Sequence, residues 1–425
     1  MRGERGTRRE FLAACSHAGL SAATTSLLLA CVTRRAAPPP NEQPRSAAGP
    51  LERELRIFNW SDYIAADTIS RFEQESGVRV TYDTYESNEE MVAKLVAGGD
   101  GYDIVAPSGY LVPVLIEGGL LQPLDHAVLT NWAYLLPLFV NAEADRGGRY
   151  AMPYQWGTTG LAYRRDLIGV PPQGWGVFAD PSLRGKMTML DDGREVLGAM
   201  LKWRGRSVNA VDPGQLQRAK QDALLVKPDL RAYLSAAVKG QLISGDVAVA
   251  QLWSGDTRQA QLEEARVEYT IPVEGSLLFT DYLIVPRAAP NRRAAHAFLN
   301  YVLRPAVAAE IAEQTGYGPT NGPAIALMPH PVEPPDAQLL RRLEFQRDLG
   351  PATDLWDRLW TEVKAGCEVR GEREEGRPSH LLPLTSYLLP LTCYVLVRPA
   401  IGDLRCCTTS EWSWRLSAPR SSSVH

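Results

Sequence analysis

An α/β fold in two domains is what this sequence predicts, and three observations carry the prediction. Strand-like and helix-like patterns alternate from residue 55 onward, and Gly or Gly-Gly stops close the early helical stretches. The chain has 425 residues, more than one typical hydrophobic core accommodates. Its 45% hydrophobic and 22% charged content is that of an ordinary globular protein.

Leu55–Asn59 reads as a first strand, and Ala66–Ser76 as a helix with Ile69 and Phe72 inward and Gly77 as its stop. Val78, Val80 and Tyr82 alternate as a second strand. Glu89–Ala97 is a helix carrying Met91, Leu95 and Val96, closed by Gly98-Gly99. Asp103–Ala106 is a short third strand, and Tyr110–Glu117 a helix stopped by Gly118-Gly119. A second unit opens near Gly157. Lys186–Leu190 is a strand leading through Asp191-Asp192-Gly193-Arg194-Glu195 into a helix to Trp203. Ala219–Lys239 reads as helical, and Asp246–Trp253 as a strand followed by a polar helix to Ala265. Tyr282–Val285 is a strand with Asp281 at its start. Pro305 breaks Arg292–Leu303 from Ala306–Gln314, and Leu355, Leu359 and Val363 mark a last helix ending at Gly366. Such alternation implies parallel or mixed sheets covered by helices. Sheets of this kind bind ligands at the carboxyl ends of their strands, where Trp60, Ser108 and Tyr110 fall.

The N-terminus reads as an address. Thr7-Arg8-Arg9-Glu10-Phe11-Leu12 has the form of a twin-arginine export signal, and the apolar stretch Ala18–Ala30 is short for a membrane span. It ends in Leu28-Leu29-Ala30-Cys31, a lipobox-like sequence that predicts lipidation of Cys31 and so a membrane anchor. Residues 1–31 are thus a signal, and residues 32–54 a flexible tether rich in Pro, Ala and Arg. Periodicity disappears beyond Gly366, and 367–425 reads as a disordered or non-native tail. The six cysteines lie in the leader or beyond Gly366, so the body has no disulfide, thiolate nucleophile or cysteine metal site. A net charge of -4 and the absence of a long Lys/Arg run argue against a nucleic-acid partner.

Asn59-Trp60-Ser61-Asp62-Tyr63-Ile64-Ala65 places two aromatics around a hydroxyl and a carboxylate at the end of the first strand. Flat rings cover a ligand's methylenes while a carboxylate receives its cationic end. The competing structural reading is a turn with core aromatics and a capping Asp. Similar pairings recur downstream. Thr84-Tyr85-Glu86-Ser87-Asn88-Glu89, Tyr102-Asp103-Ile104-Val105-Ala106-Pro107-Ser108-Gly109-Tyr110 and Pro153-Tyr154-Gln155-Trp156-Gly157 precede Leu190-Asp191-Asp192-Gly193-Arg194-Glu195-Val196. Trp253-Ser254-Gly255-Asp256 and Thr315-Gly316-Tyr317-Gly318-Pro319-Thr320-Asn321 complete the series.

In this order the stretches resemble the spermidine/putrescine-binding proteins of ABC importers, across Leu55 to Gly366. The resemblance implies a two-lobed periplasmic-binding-protein type II fold, with residues 55–157 and 281–318 in one lobe and 158–280 and 319–366 in the other. It implies that ligand binds between the lobes, that a membrane permease receives it, that no cofactor is needed, and that the chain works as a monomer. Trp60, Ser61, Asp62 and Tyr63 would line one wall with Ser108 and Tyr110. Asp192, Glu195 and Trp253 would face them, and Asp281, Tyr317 and Gln346 would complete the pocket. Phe279 stands where the family usually has Trp. Asp256 resembles the putrescine-preferring branch and Phe345-Gln346 the spermidine-preferring one, so the two signals for ligand preference conflict.

The chemistry stands beside the resemblance. Each ammonium of a polyamine needs an ionised acceptor when buried, and its methylenes favour aromatic surface. Asp62, Glu195, Asp256 and Asp281 supply the first, and Trp60, Tyr63, Trp253, Phe279 and Tyr317 the second. Asp192 or Asp191 also fits a helix cap, Tyr317 a packed turn aromatic, and Arg194 an orienter of carboxylates. Another cationic or zwitterionic solute is the alternative ligand; an anion would want basic residues and amide nests. An enzyme would need a nucleophile or relay that His126, His296 and His330 do not form by spacing, and His296 reads as a surface or interface residue.

Overall fold

Strand β1, Glu54–Trp60, buries Leu55, Ile57 and Phe58 on successive faces, the mark of a strand covered on both sides. In this computed structural model, which describes residues 46–97, 101–235 and 237–366, β1 pairs in parallel with β2, Arg79–Tyr85, and β3, Ile104–Val105. Helices α1, Thr68–Ser76, and α2, Asn88–Val96, make the crossovers. Gly77 ends α1 in the left-handed conformation (φ 70°), and the Ser87 hydroxyl accepts from the Glu90 amide to cap α2. The leader with Cys31, most of the tether and residues 367–425 lie outside the described residues.

The centre is β4, Ala151–Arg164, buried along all 14 residues. Its first half pairs antiparallel with β9, Ser276–Ile284, as far as Thr158. From Thr159 onward it pairs instead with β7, Val249–Trp253, and with β8, Val267–Thr270. β7 continues the second sheet through β5, Met187–Met189, to β6, Leu230–Tyr233. The strand order is therefore β2-β1-β3-β9-β4-β7-β5-β6, with β4 passing from one sheet to the other. Short strands β10, Gly318–Pro319, and β11, Leu343–Phe345, add to β4 and β9. Both sheets belong to one compact unit.

Helices cover both faces of each sheet. On the first, α1 and α8, Arg292–Val302, pack Phe72, Phe298 and Leu299 on one face. Met91 of α2 and Leu115 of α3, Val112–Glu117, pack against Tyr282 on the other. On the second sheet, α4, Gly193–Trp203, α5, Pro213–Val226, and α10, Thr353–Ala365, enclose Met187, Leu197, Met200 and Trp356. Helix α6, Val238–Ser244, and α7, Ser254–Glu263, cover its other face. Pro305 opens a separate helix, α9, Pro305–Thr315, at the first helical position, where its missing N–H costs nothing. No helix among the described residues is long and apolar enough to cross a membrane.

Several expectations need correction. The helix expected over Ala219–Lys239 ends at Val226, because Pro228 has no amide to continue the ladder; β6 then follows, and α6 starts only at Val238. The strand expected at Tyr282–Val285 begins at Ser276, which puts Asp281 in its interior rather than at its start. The strand expected from Asp246 begins at Val249.

Candidate functional site

The turn after β1 is locally costly and held from several sides. Asp62 adopts a left-handed φ of 52°, the only non-glycine among the described residues to do so. The preceding Trp60 is fixed by its indole N–H, which donates to the Ala106 carbonyl at 2.9 Å, and by a tilted contact with Tyr85 at 4.6 Å. Ser61 donates its hydroxyl to Glu86 at 2.6 Å. The Tyr63 carbonyl accepts from the Tyr154 hydroxyl (2.9 Å) and Gln155 Nε2 (3.2 Å), tying the turn to β4.

Asp281 lies across from this turn. Tyr63 donates to its Oδ2 at 2.6 Å and Ser108 to its Oδ1 at 2.8 Å. Burial pushes its carboxyl up to about 6, against the two hydroxyls that favour the charged form. Asn88 braces the same wall, its side-chain amide donating to the hydroxyls of Tyr110 (3.1 Å) and Ser108 (3.3 Å).

The second sheet brings the opposing acids. Asp192 caps α4, accepting from the amides of Arg194 (2.7 Å) and Glu195 (3.0 Å), and also lines the cavity. Glu195 is buried; its Oε1 accepts from the Trp253 indole at 3.2 Å, while Oε2 has no partner among the described residues. Burial, reinforced by the neighbouring charge of Asp192, pushes Glu195 up to about 8. Asp256, in the first turn of α7, accepts from the Tyr317 hydroxyl at 3.3 Å, and burial pushes it up to about 6. The Tyr317 ring meets Tyr63 edge-on at 5.0 Å and Phe279 at 6.1 Å.

All fourteen side chains singled out in the sequence line one cavity with about 930 Å³ of empty space, open toward solvent: Trp60, Ser61, Asp62, Tyr63, Ser108, Tyr110, Asp192, Glu195, Trp253, Asp256, Phe279, Asp281, Tyr317 and Gln346. Four more join them that the sequence reading missed: Glu86, Asn88, Ser235 and Lys239. Glu86 and Asn88 sit in the Thr84–Glu89 stretch just after β2, a position that signals a site at a strand's carboxyl end. Lys239 was hidden in the segment misread as one helix. Six carboxylates and a single lysine thus share the lining.

Two further expectations change. The Arg194 guanidinium hydrogen-bonds to the Arg347 carbonyl and Asn209 and lies over the rings of Tyr110 and Trp356, and among the described residues it bonds no carboxylate side chain directly. His296 is buried rather than at the surface, its Nε2 accepting from the Asp125 amide at 3.0 Å. Acids separated by aromatic walls suit a cation with apolar segments between its charges.

Residues 67–335 match the family of bacterial extracellular solute-binding proteins. The putrescine-binding periplasmic protein PotF of Escherichia coli is 35% identical over 341 residues, covering 74% of this chain and 92% of the relative. The spermidine/putrescine-binding periplasmic protein of the same organism is 33% identical over 319 residues, covering 73% and 92%. Among solved structures, the spermidine/putrescine ABC transporter substrate-binding protein PotD of Streptococcus pneumoniae superposes with a TM-score of 0.66 at 31% identity, covering 74% of this chain and 99% of that one. With its mixed α/β architecture of periplasmic-binding-protein type, the chain belongs to the bacterial extracellular solute-binding proteins.

Proposed function

We propose that this protein captures a linear polyamine, putrescine or spermidine, outside the cytoplasm and delivers it to the membrane permease of an ABC importer. The observation that carries the reading is Asp281: a buried carboxylate in the cavity, given two hydroxyl donors and, among the described residues, no cationic side chain as a direct partner. Burial raises such a group to about 6, a cost to its charged form that an incoming ammonium offsets. Glu195 and Asp256 add two more buried carboxylates from the second sheet, with Trp60, Trp253, Phe279 and Tyr317 providing surface for methylenes. The relatives' names, putrescine-binding and spermidine/putrescine-binding, support the same ligand class.

The segments 55–157 with 281–318, and 158–280 with 319–366, act as two lobes that close on the ligand, hinged where β4 passes from the first sheet to the second. The chain works as a monomer, is exported, and is anchored by lipid on Cys31. It performs no turnover: the polyamine is returned unchanged. Mass spectrometry of small molecules released from gently purified protein tests the reading. Putrescine or spermidine is the expected species, and a carried anion overturns it.

A further inference from the structure

We infer that Lys239 sets the ligand's length: its own ammonium fills the cation place between Asp62 and the Asp256 end of the cavity, so the site takes an α,ω-diamine in preference to a triamine. The inference rests on the polyamine reading of this same cavity and adds a selectivity that the sequence signals left in conflict.

Lys239 is the one basic side chain among the described residues lining the cavity. It comes from the first turn of α6, in the second sheet's layer, and reaches across to the turn after β1. Its Nζ donates to Asp62 Oδ2 at 3.3 Å and to Gln259 Oε1 at 2.6 Å. The lysine side chain is 24% exposed and that of Asp62 74%, so the ammonium sits inside the mouth and the carboxylate at its rim. While burial raises the Asp256 carboxyl, the charge of Lys239 is the strongest influence opposing that rise. Both acids at this end therefore already feel a cation supplied by the chain. Asp281, held by Tyr63 and Ser108, has no such cation among the described residues.

The chemistry of the two solutes matches this division. A lysine side chain is four methylenes ending in an ammonium, the same unit as the aminobutyl arm of putrescine and of spermidine. Tethered at residue 239, it behaves as one arm of a ligand that is already bound. A diamine needs only two acceptors, which Asp281 and Glu195 supply. A third ammonium would have to approach Lys239, where like charges repel strongly in a partly desolvated site.

Calorimetric titration of the parent chain, Lys239→Met and Lys239→Arg with putrescine and with spermidine tests this at low salt. The parent binds putrescine more tightly. Lys239→Met keeps the apolar stem and raises spermidine affinity about tenfold relative to putrescine, whereas Lys239→Arg keeps the parental order. A putrescine-to-spermidine ratio unchanged in Lys239→Met overturns the inference and leaves Lys239 as a tie between the two sheets. Asp62→Asn is a second probe that does not depend on the methionine variant folding, because Asn also tolerates a left-handed φ. Stripped of its carboxylate partner, the lysine charge is uncompensated, and spermidine binding weakens more than putrescine binding; equal weakening again contradicts the inference. If neither the parent nor any variant binds either amine, the polyamine reading itself fails, an outcome distinct from an unchanged ratio.

Discussion

Tyr63 donates its phenolic hydroxyl to Asp281 across 2.6 Å, joining residues 218 positions apart in the chain. The bond links the strained turn after β1 to the middle of β9, and both side chains are almost fully buried. Because Ser108 takes the other carboxylate oxygen, Asp281 is fixed in orientation by two hydroxyls, and its charge is left for a ligand to neutralise.

Asp281→Asn keeps the size and part of the hydrogen bonding while removing the charge. Losing one partner of a desolvated charge pair costs about 3 kcal/mol, so polyamine affinity falls about a hundredfold. The unliganded variant melts at or above the parent's temperature near neutral pH, since a buried charge has been removed. Titration and thermal melts of the same samples check both halves; a variant that binds like the parent means the ammonium place lies elsewhere.

Asp281 and Asp256 are pushed up to about 6 and Glu195 to about 8 in the folded chain. Unfolded carboxyls titrate near about 4, so between about pH 4 and 8 the folded chain holds more protons than the unfolded one. These three groups therefore stabilise the unliganded fold most at low pH, and that contribution declines as pH rises through their folded values. Polyamine binding shows the opposite trend. An ammonium favours the ionised acids, so affinity rises across the same interval and binding near about pH 6 releases protons. Titration in two buffers of different ionisation heat measures the release; no proton release at that pH contradicts the assignment.

Asp192 does two jobs that two substitutions separate. Asp192→Ala removes the cap of α4 and costs about 1 kcal/mol of stability. Asp192→Asn keeps a good cap and leaves stability near the parent's, while relieving the charge that helps push Glu195 up. Denaturant melts distinguish the pair, and equal destabilisation by both would contradict the capping role.

Gly157 lies where β4 passes beneath the cavity's aromatic wall. A Cβ there would come within 2.6 Å of Phe279 Cζ and 3.0 Å of Tyr317 Cδ1. Gly157→Ala thus overpacks the wall, with an expected loss of about 1–3 kcal/mol, and displaces both rings from the ligand's side. Adding Phe279→Leu restores part of the stability; a neutral Gly157→Ala would show that the wall yields freely.

Much of the first sheet was legible because its signals are local. Phe72 and Gly77 mark α1, Met91 and Leu95 mark α2, and each acts within a turn or two of its own helix. β4 escaped notice because a strand buried on both faces has no alternation to read. Asp281 was legible as a site candidate, an acid amid Leu277, Leu278, Phe279 and Tyr282. Its interior strand position depends on pairing with Gln155, 126 positions earlier in the chain, which no local pattern encodes. Lys239 was illegible for a related reason: its role comes from Asp62, brought near only by the packing of the two sheets.

The most direct measurement is calorimetric titration of the purified chain with putrescine and spermidine beside a dicarboxylate of similar length. The account predicts saturable one-to-one binding of polyamine that weakens as pH falls below about 6, with no binding of the dicarboxylate. Binding of the dicarboxylate, or no heat with either polyamine at about pH 8, would contradict it.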